Sequence, residues 1–199
     1  MVVDLLKSLF VAIRGTGEAL LIERNFRLMW LAALLSSLLI YLLPFPLWAQ
    51  MLLLCIIFGI LSLELFNSSV EKVCDSFGRD YNELKRQAKD FGASSVLMAS
   101  ILSLLVFFSI LATMPKSAFS PFFNDPMLLI SLIWIFMGNI PLCLLPRLSP
   151  YAIMLLIPNL IIHVLFLVAS TGDPLFLGLS IVFHLGLASA SLIRSLAKS

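Results

Sequence analysis

The chain has 199 residues, of which 61% are hydrophobic and only 12% are charged. Its mean hydropathy of +1.08 excludes an ordinary soluble domain, which needs more polar residues to cover its core. The formal net charge of +2 gives no indication of nucleic-acid binding. The composition therefore predicts an integral membrane protein, and long apolar stretches predict that it is all-α.

Residues 1–27 predict an amphipathic helix on the membrane surface. Apolar residues such as Leu5, Leu9 and Ile13 recur at helical spacing, with charged residues between them. The charges at Asp4 and Lys7 do not fit a cleavable signal peptide, which has a short apolar core and a small-residue cleavage site.

Six apolar stretches follow, and each approaches the length of about 20 residues that a helix needs to cross a membrane. The turn Pro44-Phe-Pro46 separates the first two stretches, and a charged segment over 72–90 separates the second from the third. The six predicted spans are 28–45, 47–70, 92–114, 127–146, 151–170 and 174–193.

A break in composition, rich in proline and polar residues, divides these spans into two groups. It predicts a domain of a surface helix and three spans over 1–114, a linker over 115–126, and a three-span extension over 127–199. If both termini lie in the cytoplasm, every Lys and Arg except Lys116 falls on the cytoplasmic side. The excess of basic residues on cytoplasmic loops therefore predicts that orientation.

The three cysteines, Cys55, Cys74 and Cys143, lack the spacing of metal ligands. We interpret all three as free thiols.

The most informative feature of the chain is an acidic residue inside the second span. No charged residue occurs from Leu47 to Leu63, and Glu64 follows directly. An acidic side chain at the centre of a span costs roughly 2.5–3.5 kcal/mol on insertion scales, so such residues usually have a function. On a helix, Glu64 shares one face with four further polar residues: Asn67, Ser68, Glu71 and Asp75.

This polar face has more than one interpretation. Glu64 and Glu71 are separated by roughly 10 Å along a helix axis, so the face reaches from lipid depth to the cytoplasm. Chemistry that joins a lipid head group to a water-soluble reagent needs such a face. Helix packing or a proton relay would also place polar residues here, and both alternatives remain open at this point.

The residues around Glu64 resemble the prokaryotic diacylglycerol kinase family, which includes the undecaprenol kinases. The resemblance covers about residues 5–114 and includes Arg14-Gly15 and Glu23-x-x-Phe26-Arg27 in the surface helix. The longest part of the pattern is Glu64-x-x-Asn67-Ser-x-x-Glu71-x-x-x-Asp75, followed by Gly78, Tyr81, Glu83 and Ala-Lys89-Asp90-x-Gly92.

The resemblance implies an enzyme that transfers the γ-phosphoryl group of MgATP to a lipid hydroxyl. It implies Glu64 as the general base, Glu23 and Glu71 as ligands of Mg²⁺ and ATP, and Asn67 and Arg14 as substrate-binding or orienting residues. The further ATP-binding residues that it implies are Asp75, Tyr81, Glu83, Lys89 and Asp90.

The resemblance also implies a homotrimer in the bacterial inner membrane. The mixed charges of loop 72–90, five basic and four acidic, predict no nucleic-acid partner. The stretch Lys89–Leu97 looks closer to the diacylglycerol kinase branch, so we expect diacylglycerol as the lipid and undecaprenol as the alternative. An alternative of another class is a transporter or channel subunit that uses Glu64 as a proton or ion site. A non-catalytic lipid-binding scaffold is a further alternative, although every carboxylate of the family pattern is present.

Overall fold

The computed structural model describes residues 2–78, 80 and 82–115. Within these residues every regular element is a helix: α1 (Val2–Ile22), α2 (Arg24–Leu42), α3 (Leu47–Ser76) and α4 (Glu83–Thr113). The all-α prediction is therefore confirmed for the described residues. Most of the predicted linker 115–126 and all of the predicted extension 127–199 lie outside them.

The described residues belong to two compact units, one with residues 2–34 and the other with residues 35–115. In the first unit, the single helix predicted over 1–27 is wrong at its C-terminal end, because α1 ends at Ile22 and α2 begins at Arg24. The buried Arg27 explains how the chain tolerates this break. Its Nη1 donates to the carbonyl oxygens of Leu21 at 2.9 Å and Leu20 at 3.4 Å, which the end of α1 leaves without helical partners.

The second unit contains a hairpin of α3 and α4, which pack against each other. The predicted turn at Pro44-Phe-Pro46 is present, since α2 ends at Leu42 and α3 begins at Leu47. Phe45 in this turn packs edge-on against Phe107 of α4, with ring centroids 6.1 Å apart. An apolar cluster surrounds the turn and holds this end of the hairpin together: Ile40, Leu43, Phe45, Ala49, Leu53 and Ile110.

Both helices of the hairpin are long and apolar enough to cross a membrane. Only 28% of the most apolar stretch of α3 and 11% of that of α4 is buried. A core helix of a soluble protein would bury far more of its apolar surface, so these exposed faces are suited to contact lipid. The helices extend beyond the predicted spans 47–70 and 92–114, because their polar ends at Ser76 and Glu83 continue as helix.

Candidate functional site

The polar face of α3 passes from buried to exposed along the helix. Glu64, Asn67 and Ser68 are 5%, 6% and 8% exposed, Glu71 is half-buried, and Asp75 is exposed. The prediction that these residues lie on one helix is confirmed by α3. The gradient of exposure has the direction that the sequence predicted, from the apolar part of the helix towards its polar end.

The amide of Asn67 connects two of the predicted site residues. Its Nδ2 donates to Oε1 of Glu71 at 3.1 Å, one helical turn away. A hydrogen bond to a charged acceptor is stronger than one between neutral groups, so Asn67 fixes the orientation of the Glu71 carboxylate. The Oδ1 of Asn67 is buried and has no hydrogen-bond partner among the described residues.

Helix α4 comes unusually close to α3 beside Asn67, and Gly92 makes this approach possible. A Cβ atom at position 92 would lie 2.3 Å from Asn67 Oδ1 and 3.7 Å from Asn67 Cα. The backbones of the two helices therefore meet at the polar face, where any side chain on Gly92 would collide with Asn67.

The connection between α3 and α4 is held by capping interactions. Gly78 has φ +95°, in the left-handed region that favours glycine, and it follows the end of α3. Lys85 Nζ donates to the carbonyl oxygens of Phe77 at 3.0 Å and Gly78 at 3.2 Å. Asn82 caps α4, since its Oδ1 accepts from the backbone N–H groups of Leu84 at 2.9 Å and Lys85 at 3.4 Å.

Lys89, a predicted phosphate contact, reaches back from α4 to α3. Its Nζ lies 2.5 Å from Oδ1 of Asp75, another predicted ATP-binding residue. The two side chains are 37% and 70% exposed, so water and a soluble ligand have access to the pair. The hairpin therefore brings these two predicted site residues together at the polar end of α3.

Two further predicted ATP-binding residues, Glu83 and Asp90, share a cation on the first turns of α4. Arg86 lies 2.5 Å from Glu83 Oε1 through Nη2, and 2.5 Å from Asp90 Oδ2 through Nη1. All three side chains are about half-exposed. The guanidinium thus links two carboxylates at spacings of three and four residues, where helical neighbours meet.

The remaining predicted site residues are Arg14, Glu23 and Tyr81. Arg14 and Glu23 belong to the unit of residues 2–34. Arg14 forms an exposed ion pair with Glu18, with Nε and Oε1 2.8 Å apart. Glu23 is half-buried and is the one residue between α1 and α2. Tyr81 lies outside the described residues.

The chemistry of the candidate metal ligands suits Mg²⁺. No cluster of three or more His, Cys, Asp or Glu side chains occurs in the part of the chain that the structure describes. Mg²⁺ does not need one, because it is usually bound by one or two carboxylates together with water and substrate phosphates. The half-buried carboxylate of Glu71, oriented by Asn67, fits this requirement. Cys55 and Cys74 are free thiols, as predicted.

Sequence reasoning assigned no structural role to three residues that shape the α3–α4 hairpin, Asn82, Arg86 and Gly92, although Gly92 is part of the family pattern. Two carried a usable signal: Arg86 lies at helical spacing from two carboxylates, and asparagine directly before a helical acidic residue is typical of an N-cap. The contact of Gly92 with Asn67 depends on how two helices pack. No spacing along the chain could have revealed it.

Similarity to known proteins covers most of helices α1 to α4. The family described as "Prokaryotic diacylglycerol kinase" matches residues 10–111, which is about half of the chain. The chain belongs to the prokaryotic diacylglycerol kinase family. It is therefore a lipid kinase of the membrane, and the family resemblance stated from its motifs is confirmed.

Relatives of both lipid specificities are similar to this chain. The diacylglycerol kinase of Escherichia coli K12 is 32% identical over 92 residues, which are 46% of this chain and 75% of the relative. The undecaprenol kinase of Bacillus subtilis 168 is 30% identical over 110 residues, which are 55% of this chain and 88% of the relative. The diacylglycerol kinase of Synechocystis is 33% identical over 107 residues, 52% of this chain and 59% of the relative. No solved structure matches the chain significantly.

Proposed function

We propose that this membrane lipid kinase transfers the γ-phosphoryl group of ATP to the hydroxyl of diacylglycerol, which gives phosphatidic acid. The observation that carries the proposal is the graded polar face of α3. It places a buried carboxylate, Glu64, two helical turns from a half-buried one, Glu71, on a helix that can cross a membrane. Such a face would suit a lipid hydroxyl near Glu64 and a water-soluble nucleotide near Glu71.

In the proposed reaction, the oxygen of the lipid hydroxyl forms a bond to the γ-phosphorus, and Glu64 accepts the proton of that hydroxyl. The bond between that phosphorus and the oxygen bridging it to the β-phosphate breaks, and ADP leaves. A positioned general base contributes about 10²–10⁴-fold to such a rate. Phosphoryl transfer otherwise requires mainly positioning and neutralisation of charge.

Glu71 and Glu23 are the proposed ligands of Mg²⁺, which supplies charge neutralisation at the ATP phosphates. Asn67 holds the Glu71 carboxylate in place. Lys89 is the proposed phosphate contact, because its flexible ammonium is exposed enough to move from Asp75 to a phosphate oxygen. Tyr81, Glu83 and Asp90 are proposed to line the nucleotide end. Asp75 is proposed to lie there as the partner of Lys89 that competes with a phosphate oxygen, and Arg14 is proposed to orient the lipid.

Undecaprenol is the second candidate lipid. The observation that favours it is the undecaprenol kinase of Bacillus subtilis, for which the similarity extends over 110 residues and 88% of the relative. The transporter alternative rested on the acidic residue Glu64 in a membrane span. Membership in a lipid kinase family offers another reason for an acidic residue there, so we favour the kinase.

The proposal includes the organisation of the whole chain. A three-span kinase core over 1–114 would be followed by the linker 115–126 and a membrane extension over 127–199. Similarity to the family supports a homotrimer in the bacterial inner membrane. The distribution of Lys and Arg supports cytoplasmic termini.

Phosphorylation assays with the purified full-length chain test the lipid substrate. ATP labelled at the γ-phosphate is supplied with diacylglycerol or undecaprenol in separate reactions, and the labelled lipid is measured. We expect the higher kcat/KM with diacylglycerol. A higher value with undecaprenol would reverse the choice of lipid, and no product with either lipid would contradict the proposed reaction.

A further inference from the structure

Gly92 lies where α4 comes closest to the polar face of α3. A Cβ atom there would lie 2.3 Å from Asn67 Oδ1 and 3.3 Å from Asn67 Cγ, whereas real Cβ atoms essentially never come within 3.0 Å of another heavy atom. Glycine in a helix interior is about 1 kcal/mol less favourable than alanine. Gly92 nevertheless lies in the interior of α4, at the position where a methyl group would displace the Asn67 amide.

The Asn67 amide has one favourable orientation. In that orientation Nδ2 donates to Glu71 Oε1, and Oδ1 faces Gly92. The reversed amide would place Oδ1 against a carboxylate oxygen, and two acceptors repel each other. Because Asn67 is only 6% exposed, a displaced amide would also have little access to water.

Within the part of the chain that the structure describes, the buried Oδ1 of Asn67 has no conventional hydrogen-bond partner. This oxygen faces Gly92, since a Cβ atom built there would lie 2.3 Å from it, and Cα–H···O contacts recur where two helices approach closely. A larger residue at position 92 would remove this contact and force the amide to rotate. Gly92, Asn67 and Glu71 therefore form a chain of contacts from α4 to a carboxylate of the candidate site.

We propose that Gly92 is a positioning residue that acts through Asn67 on Glu71. Because Gly92 has no Cβ atom, the Asn67 amide can point at Glu71. The hydrogen bond then holds the Glu71 carboxylate in the orientation that would bind Mg²⁺. The role of Glu71 in this statement rests on the proposed function. The effect of Gly92 on the orientation of Asn67 does not.

Replacement of Gly92 with alanine tests the effect of Gly92 on the orientation of Asn67. The purified full-length protein is used, without nucleotide or metal. The side-chain amide signal of Asn67 in a ¹H–¹⁵N NMR spectrum, assigned by its loss in Asn67→Ala, is the measurement. Gly59→Ala is the matched control, because a Cβ on this exposed glycine of α3 would meet no atom of the described residues within 4 Å. We expect the signal to shift in Gly92→Ala and to stay in place in Gly59→Ala.

The dependence of phosphoryl transfer on Mg²⁺ tests whether the orientation of Asn67 affects metal binding by Glu71. Loss of an outer-shell partner of a metal ligand typically costs about 10–100-fold in metal affinity. We therefore expect Gly92→Ala to raise the half-saturating Mg²⁺ concentration by about tenfold or more, with most of the kcat recovered at saturating Mg²⁺. Gly59→Ala should match the wild type in both values.

A double variant separates this account from a general loss of packing. Once Asn67 has become alanine, Gly92→Ala has nothing to displace, so the double variant should have the Mg²⁺ dependence of Asn67→Ala alone. If Gly92→Ala does not fold, recovery of folding in the double variant would identify the same collision, and failure of both would overturn the proposal.

Two further results would overturn the role of Gly92. One is an Asn67 amide signal unchanged in Gly92→Ala, and the other is additive effects of the two substitutions on the Mg²⁺ dependence. If the wild-type chain transferred no phosphate, the proposed function would fail instead, and the NMR comparison would still decide the effect of Gly92 on Asn67.

Discussion

The ion pair between Lys89 and Asp75 predicts how the replacement of Asp75 changes nucleotide binding. A phosphate oxygen would compete with Asp75 for the Lys89 ammonium, so we expect the pair to weaken nucleotide binding. With side chains 37% and 70% exposed, the pair is screened by water, so it holds Lys89 only weakly. Replacing Asp75 with asparagine should therefore lower the KM for MgATP by at most about fivefold.

Steady-state kinetics at saturating lipid measure this effect, and Asp80→Asn is the matched control. Asp80 is an exposed acidic residue between α3 and α4, so both substitutions remove one negative charge from the same region. The effect of Asp75→Asn should shrink at high salt, because exposed charges are screened. An equal change in Asp80→Asn would show a general charge effect, and a raised KM in Asp75→Asn would contradict the competition between Asp75 and phosphate.

Two further predictions concern single side chains. Asn82→Ala should lower the free energy of unfolding by about 1 kcal/mol because α4 loses its N-cap, whereas Asn82→Asp should retain it; equal thermal stability of the two variants would contradict the capping role. Glu71→Gln should raise the half-saturating Mg²⁺ concentration in the transfer assay by more than about tenfold, because it removes a charged metal ligand but keeps an acceptor for Asn67. An unchanged Mg²⁺ dependence would exclude Glu71 as a ligand.

Features that depend on spacing along one helix could be predicted from the sequence. The absence of charge from Leu47 to Leu63 predicted the apolar part of α3, and the spacing of Glu64, Asn67 and Glu71 predicted their common face. The turn at Pro44-Phe-Pro46 was equally predictable, because proline both breaks helices and favours turns.

Features that depend on contacts between distant residues could not be predicted. The break between α1 and α2 is stabilised by Arg27, whose guanidinium reaches carbonyls six and seven residues earlier. The pairing of Lys89 with Asp75 depends on the geometry of the connection between α3 and α4. The contact of Gly92 with Asn67 depends on the distance between two helix backbones, which hydrophobic pattern alone does not determine.

Replacement of Glu64 with glutamine tests the central claim most directly, because glutamine has nearly the same shape but cannot accept the lipid proton. The initial rate of phosphoryl transfer from γ-labelled ATP to diacylglycerol is measured at saturating MgATP, with Ser62→Ala on the exposed side of α3 as a control. We predict a loss of at least about 100-fold for Glu64→Gln, in protein that still inserts into the membrane, and a near wild-type rate for Ser62→Ala. Turnover of Glu64→Gln at a rate close to that of the wild type would contradict the assignment of Glu64 as the general base.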